Sequence, residues 1–84
     1  MSASKQMTIT TTPQLVGRVL QNNLNIWVHT QGTIYFGGDN TVTSSTGFRL
    51  DQNDKYSMII PAGNEVWAVT NNGTATLYVF TTVI

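Results

Sequence analysis

The feature that most constrains the fold of this chain is a two-residue alternation of apolar and polar side chains within short runs. The clearest run is LNIWVHT at residues 24–30, where Leu24, Ile26 and Val28 fall on one side of an extended backbone. Such alternation predicts a half-buried β-strand. No apolar repeat of 3.6 residues extends over a useful length, so the pattern predicts an all-β chain.

Further strands are predicted where runs rich in β-branched and aromatic residues are bounded by turn residues. The predicted strands cover residues 6–12, 24–30, 33–36, 55–60, 65–70 and 74–83. The chain is predicted to return from a surface connection into the fold at residues 47–50. Residues 15–20 are predicted to form either a strand or a short helical turn. We therefore predict a small antiparallel β-sandwich, or a jelly-roll-like barrel, of about seven to eight short strands.

Two turns predict hairpins between consecutive strands. Asn72-Gly73 separates two alternating runs, which is the strongest short-range hairpin signature, and Gln31-Gly32 joins two strands in the same way. Each pair of flanking strands is therefore expected to be hydrogen-bonded together.

The polar segment between Phe36 and Phe48 is the longest connection in the predicted fold. Gly37 and Gly38 are expected to adopt positive φ where the chain leaves the strand, and Gly47 is expected to be a third structural turn residue. Because a polar backbone cannot be buried without partners, we expect the segment to run over the surface from one sheet to the other.

The chain is short enough that association would reinforce it. Its 84 residues predict one domain, residues 6–84, after a flexible start at residues 1–5. A domain of this size hides only about 60–65% of the surface of its unfolded chain. There are no cysteines, so disulfides cannot brace the fold, and a homo-oligomer, a dimer or trimer, is expected.

The charge pattern argues against two classes of partner. Only 10% of the residues are charged, against about 25% in an average soluble domain, and the net charge is zero. Such a surface has no electrostatic attraction for nucleic acid or an anionic membrane. The N-terminus lacks the apolar region of a secretory signal, and no apolar run is long enough to span a membrane, so the chain is expected to fold in the cytoplasm.

The sequence predicts no catalytic, cofactor or metal site. His29 is the only histidine and no Gly-x-Ser-x-Gly motif accompanies it, so it is interpreted as a surface or hairpin-edge residue. Asp51, Asn53 and Asp54 resemble the start of a calcium loop, but Lys55 follows where an oxygen ligand is needed. These residues are therefore interpreted as a hydrogen-bonded turn.

Aromatic residues occur on both sides of the predicted strands. Trp27 alternates with Ile26 and Val28, and Tyr78 and Phe80 alternate with apolar neighbours in the last strand. One small sandwich cannot bury both faces of its strands, so some of these rings should face outward and mark a contact surface. The alternative is that they cover an open end of the barrel.

From about Leu15 to the C-terminus, the order of features resembles a group of small virion proteins of tailed bacteriophages. The shared features are an asparagine-turned strand, Phe36-Gly37-Gly38, Val42-Thr43, Gly47-Phe48-x-Leu50, Trp67-Ala68-Val69 and a glycine-turned C-terminal strand. The resemblance implies a small β-sandwich that assembles on the particle surface.

It implies a non-enzymatic capsid decoration, or cement, protein that binds the major capsid protein on the outer surface of the virion and stabilises the head. The candidate contact residues are Trp27, Tyr35, Tyr78 and Phe80, with Met7 and Ile9 from an N-terminal strand that adds to a neighbouring sheet edge. The alternative is a tail or fibre module in which Trp27 or Trp67 stacks on a host surface glycan.

Overall fold

The protein is a small all-β sandwich. The computed structural model describes residues 2–18 and 21–83, which contain eight strands and no helix. The strands are β1 (Ser2–Ile9), β2 (Gln14–Arg18), β3 (Leu24–Gln31), β4 (Ile34–Gly37), β5 (Phe48–Leu50), β6 (Lys55–Ile60), β7 (Glu65–Val69) and β8 (Ala75–Val83). Sheet A has the order β1-β8-β3-β6, sheet B has the order β2-β7-β4-β5, and all pairings are antiparallel.

The strand boundaries differ from the prediction mainly at the N-terminus. β1 begins at Ser2 and ends at Ile9, so residues 2–5 of the predicted flexible start are paired with β8. The ambiguous segment 15–20 is a strand, β2, as far as Arg18. The predicted N-terminal segment, second strand and domain end each extend beyond the described residues. The residues concerned are Met1, Val19, Leu20 and Ile84.

Both predicted hairpins are wrong. Asn72-Gly73 joins β7 of sheet B to β8 of sheet A, and Gln31-Gly32 leads from β3 of sheet A to β4 of sheet B. The local turn chemistry is as expected, since Gly73 has a φ of 66° and Gly32 one of 136°. These turns connect strands of opposite sheets, and so does every other connection except β4–β5.

The polar segment between β4 and β5 also differs from its prediction. β4 and β5 are neighbours in sheet B, so the segment does not cross to the other sheet. It folds over the outer face of sheet B, where Val42 packs against Tyr35 and Val69 with Trp67 alongside. This small second core is separate from the main one.

The glycines of this segment allow close packing. Gly37 and Gly38 do not adopt positive φ, contrary to the prediction. A Cβ on Gly37 would lie 2.7 Å from Cβ of Val42, and one on Gly47 would lie 2.7 Å from Cβ of Tyr35. Gly37 and Gly47 are therefore required because they let the polar segment lie against sheet B.

The main core fills the space between the two sheets. β3 shows the predicted alternation, with Leu24, Ile26 and Val28 buried and Trp27 exposed. The other buried members are Ile9, Val16, Ile34, Phe36, Leu50, Ile60, Val66, Ala68, Ala75, Leu77 and Val79. Because these residues face inward, the residues between them on β3 and β8 form the outer face of sheet A.

Candidate association surface

Four aromatic rings lie together on the outer face of sheet A. Trp27 on β3 is directly opposite Phe80 on β8. Two residues further along the same strands, His29 is directly opposite Tyr78. The ring centroids are 5.5 Å apart in the first pair and 5.7 Å apart in the second. These four residues, Trp27, His29, Tyr78 and Phe80, are called the ring face below.

The strand order places the ring face at the centre of its sheet. β3 and β8 are the two inner strands of sheet A, and β1 and β6 flank them. The flanking strands contribute small or polar residues in register with the rings: Ser4 and Gln6 are opposite Phe80 and Tyr78, and Ser57 and Lys55 are opposite Trp27 and His29. An apolar centre with a polar rim is the usual anatomy of a protein interface.

The ring face borders an open groove of about 660 Å³. Trp27 and Phe80 are each 43% exposed and Tyr78 is 41% exposed, which is high for rings of this size. The charged residues that line the groove are Lys5 and Lys55, and no carboxylate is among the described lining residues. The groove is therefore apolar at its centre, and Lys55, which is opposite His29, adds positive charge at its margin.

Within the part of the chain that the structure describes, the outer face of sheet B has no comparable surface, because the polar segment covers it. Tyr35 is only 8% exposed and Val69 only 5%, since Val42 and the polar segment lie on them. Trp67 is half-buried there, and its indole N–H donates a hydrogen bond of 2.8 Å to Oε1 of Glu65. The two outer faces of the sandwich thus differ: one is covered and one is bare.

The structure separates the predicted contact residues into two groups. Trp27, Tyr78 and Phe80 lie together on the ring face. Tyr35 belongs to the second core and Ile9 is fully buried in the main core, so neither side chain is available to a partner. Met7 is partly buried against the main core, because it faces inward from β1.

Two aromatic features were not predicted from the sequence. His29 belongs to the ring face, where its Nε2 lies 3.4 Å from Nε2 of Gln31. Phe48 and Tyr56 form a second exposed ring pair, with centroids 5.2 Å apart, between β5 and β6 at the side of the sandwich. His29 occupies the same alternating face as Trp27, which is the signal that identifies it.

The carboxylates of the described residues serve local structure. Asp54 accepts a hydrogen bond of 2.7 Å from the backbone N–H of Asp51, so the turn resembling a calcium loop is hydrogen-bonded as predicted. The Trp67 indole and the Arg18 guanidinium hold the pKa of Glu65 below its ordinary value. Hydrogen bonds from Thr41 likewise lower the pKa of Asp39.

Residues 2–18 and 21–83 contain no group of three or more His, Asp or Glu side chains that could hold a metal ion. The same residues contain no helix of the length and apolarity needed to cross a membrane. Neither a protein-family model, nor a curated protein, nor a solved structure matches this chain.

Proposed function

We propose that this protein is a non-enzymatic assembly module that uses the ring face to bind another protein, and that its role is capsid decoration. The observation that carries the proposal is the difference between the two outer faces. The polar segment between β4 and β5 covers Tyr35 and Val69, whereas the rings of sheet A are exposed. An exposed cluster of large rings on a small soluble protein marks a contact surface.

The residue types of the ring face suit a protein partner. Trp and Tyr are enriched among the residues that dominate binding free energy, especially where less important polar contacts surround them and exclude water. Ser4, Gln6 and Ser57 occupy that surrounding position. An interface of standard size buries about 800 Å² per partner, a large share of the 4930 Å² surface of this chain.

The strand order supports the jelly-roll form of the predicted sandwich. Eight antiparallel strands lie in two sheets of four, and successive strands alternate between the sheets except at β4–β5. Double-sheet jelly rolls occur in viral capsid proteins and in lectins. A fold of this kind is compatible with a virion role, although the ring face carries the functional argument.

The partner in this proposal is the major capsid protein, and the site of action is the outer surface of the phage head. The low charge of the chain favours broad apolar contact over electrostatic attraction. Each copy adds apolar burial at about 25 cal/mol per Å², and the repeated capsid lattice multiplies this stabilisation over the shell. The resemblance in glycine and aromatic placement to small phage virion proteins agrees with this role.

The test is co-sedimentation of the purified protein with undecorated, expanded heads of the phage that encodes it, and separately with host cells. We expect saturable binding to heads and a rise in the melting temperature of the shell. Binding to cells without binding to heads would overturn the decoration role.

A glycan-binding tail or fibre module is the second candidate. The favouring observation is the open groove of about 660 Å³ beside Trp27, since its volume falls within the range of small-ligand sites. Uncharged hydroxyl and amide groups on Ser4, Gln6 and Ser57 surround the rings, and such groups bind sugars while a ring stacks on the sugar face. Loss of cell binding after removal of host surface glycans would support this candidate.

A further inference from the structure

The two sheets have four edge strands, and three of them carry features that discourage pairing with another chain. β2 contains a register shift between Leu15 and Gly17, and β5 is only three residues long. β6 begins at Lys55 and is followed directly by Pro61. Bulges, short length, lysine and proline are the devices by which proteins protect sheet edges.

β1 lacks nearly all of these devices. It is eight residues long, its pairing with β8 runs from Ser2 to Ile9 without a register shift, and Lys5 is its only charged residue. It contains no proline. In the described residues no strand pairs with its second edge, so a row of backbone N–H and C=O groups is available there.

We propose that β1 pairs with β1 of a second copy of this chain, so that two copies form a two-fold dimer with a continuous eight-stranded sheet. Antiparallel edge pairing satisfies the backbone groups of both strands at once, and a two-fold axis makes the contact self-complementary. The inference goes beyond the proposed function and stands or fails whether or not the protein binds heads.

Two registers, centred on Lys5 and on Gln6, leave seven of the eight β1 residues opposite a partner, and the charge of Lys5 decides between them. Centring the two-fold axis on Lys5 would place two ammonium groups opposite each other, which is unfavourable. Centring it on Gln6 places Ser4 of each copy opposite Thr8 of the other, and Lys5 opposite Met7. This register opposes hydroxyl groups and separates the like charges, so it is the one we assign.

The dimer would double the ring face. Even-numbered residues of β1 share the outer side of sheet A, because Ser4 and Gln6 are in register with Phe80 and Tyr78. A two-fold axis perpendicular to the sheet keeps both ring faces on the same side. Three strand spacings of about 4.8 Å then separate the two copies of β8, so the two copies of Tyr78, which is opposite Gln6, lie about 14 Å apart across the axis. A bivalent face binds a repetitive surface more tightly than either half alone.

The first test is sedimentation equilibrium of the unmodified chain and of two double variants. We expect the unmodified chain to sediment at twice the mass of one chain. S4E/T8E opposes carboxylates in both Ser4–Thr8 pairs and should be monomeric. S4K/T8E opposes an ammonium and a carboxylate in the same two pairs and should remain dimeric. A monomeric unmodified chain, or equal behaviour of the two variants, would overturn the proposal.

The second test uses the absence of cysteine from the chain. Residues opposite each other across an antiparallel pair have Cα atoms about 4.5–5.5 Å apart, which suits a disulfide. Under mild oxidation, Q6C should therefore form a covalent dimer rapidly. The matched control is S57C, an exposed position on β6, the opposite edge of the same sheet. Equal rates for the two variants, or faster linkage by S57C, would place the contact elsewhere and contradict the proposal.

Discussion

Trp27 and Phe80 are directly opposite each other on β3 and β8, and both remain 43% exposed with their ring centroids 5.5 Å apart. Tyr35 and Val69 occupy the equivalent relationship on β4 and β7, and both are buried. The difference is due to Val42 and the polar segment around it, which cover one sheet and leave the other bare. This difference in aromatic burial between the two sheets is the basis of the proposed function.

Truncation of the two tryptophans should change stability by different amounts. W27A removes an exposed side chain, so we expect the free energy of unfolding of the monomer to change by less than about 1 kcal/mol. W67A removes a half-buried ring and its hydrogen bond to Glu65, so it should cost about 3 kcal/mol. Urea denaturation of the two variants checks this. A larger loss for W27A than for W67A would place Trp27 in the core.

Alanine substitutions at the adjacent residues Gly37 and Gly38 should differ strongly in their effect on stability. G37A would place a Cβ 2.7 Å from Cβ of Val42, and such overpacking costs about 1–3 kcal/mol. G38A is the matched control, because no atom lies within 4 Å of the added Cβ and the backbone there is not left-handed. Thermal unfolding should show a lower melting temperature for G37A alone. Equal melting temperatures would mean that the polar segment does not pack on sheet B as described.

Thr30 should matter through its hydroxyl group. The side chain is fully buried, and its Oγ1 donates to the backbone carbonyl of Asp51. T30V keeps the shape but removes this hydrogen bond, so we expect a loss of about 1 kcal/mol in the free energy of unfolding. T74V, at an exposed position just before β8, is the control and should stay within about 0.5 kcal/mol of the unmodified chain. A neutral T30V would show that the hydroxyl contributes nothing.

Stability should fall in acid partly through Glu65. Hydrogen bonds from the Trp67 indole and then from Arg18 hold its pKa in the folded state below the ordinary value of 4.5. A lowered carboxyl pKa stabilises the fold at pH values above 4.5 and loses this contribution as the pH falls through the folded-state pKa. E65Q should therefore unfold with a shallower dependence on pH in this acid range. Parallel curves of unfolding free energy against pH for the two proteins would contradict this assignment.

The alternation of side chains predicted the strands well, because a half-buried strand imposes a period of two whatever its partner. It could not predict the pairing. An Asn-Gly turn has the same local chemistry whether the next strand lies beside the previous one or in the opposite sheet. The choice at Asn72-Gly73 is made by burial of the strand faces, which depends on residues far away in the chain.

The ring face was only partly predictable for the same reason. Tyr35 lies between two core residues, so the alternation predicts that it faces outward and is exposed, as Trp27 is. Its cover comes from Val42, the lone large apolar residue of a polar segment. The isolated valine was therefore the sequence signal from which the cover over Tyr35 could be predicted. The sequence indicates turn residues at Gly37 and Gly47, because the close approach of a distant segment leaves no local pattern in the sequence.

The most direct measurement of the central claim compares the affinity of W27A and F48A for undecorated heads. Both variants remove an exposed ring, but only Trp27 belongs to the ring face, whereas Phe48 lies at the side of the sandwich. We expect W27A to weaken binding by about 30-fold or more, as for a residue that dominates an interface, and F48A to bind like the unmodified chain. Full affinity in W27A, or an equal loss in F48A, would contradict the assignment of the ring face as the binding surface.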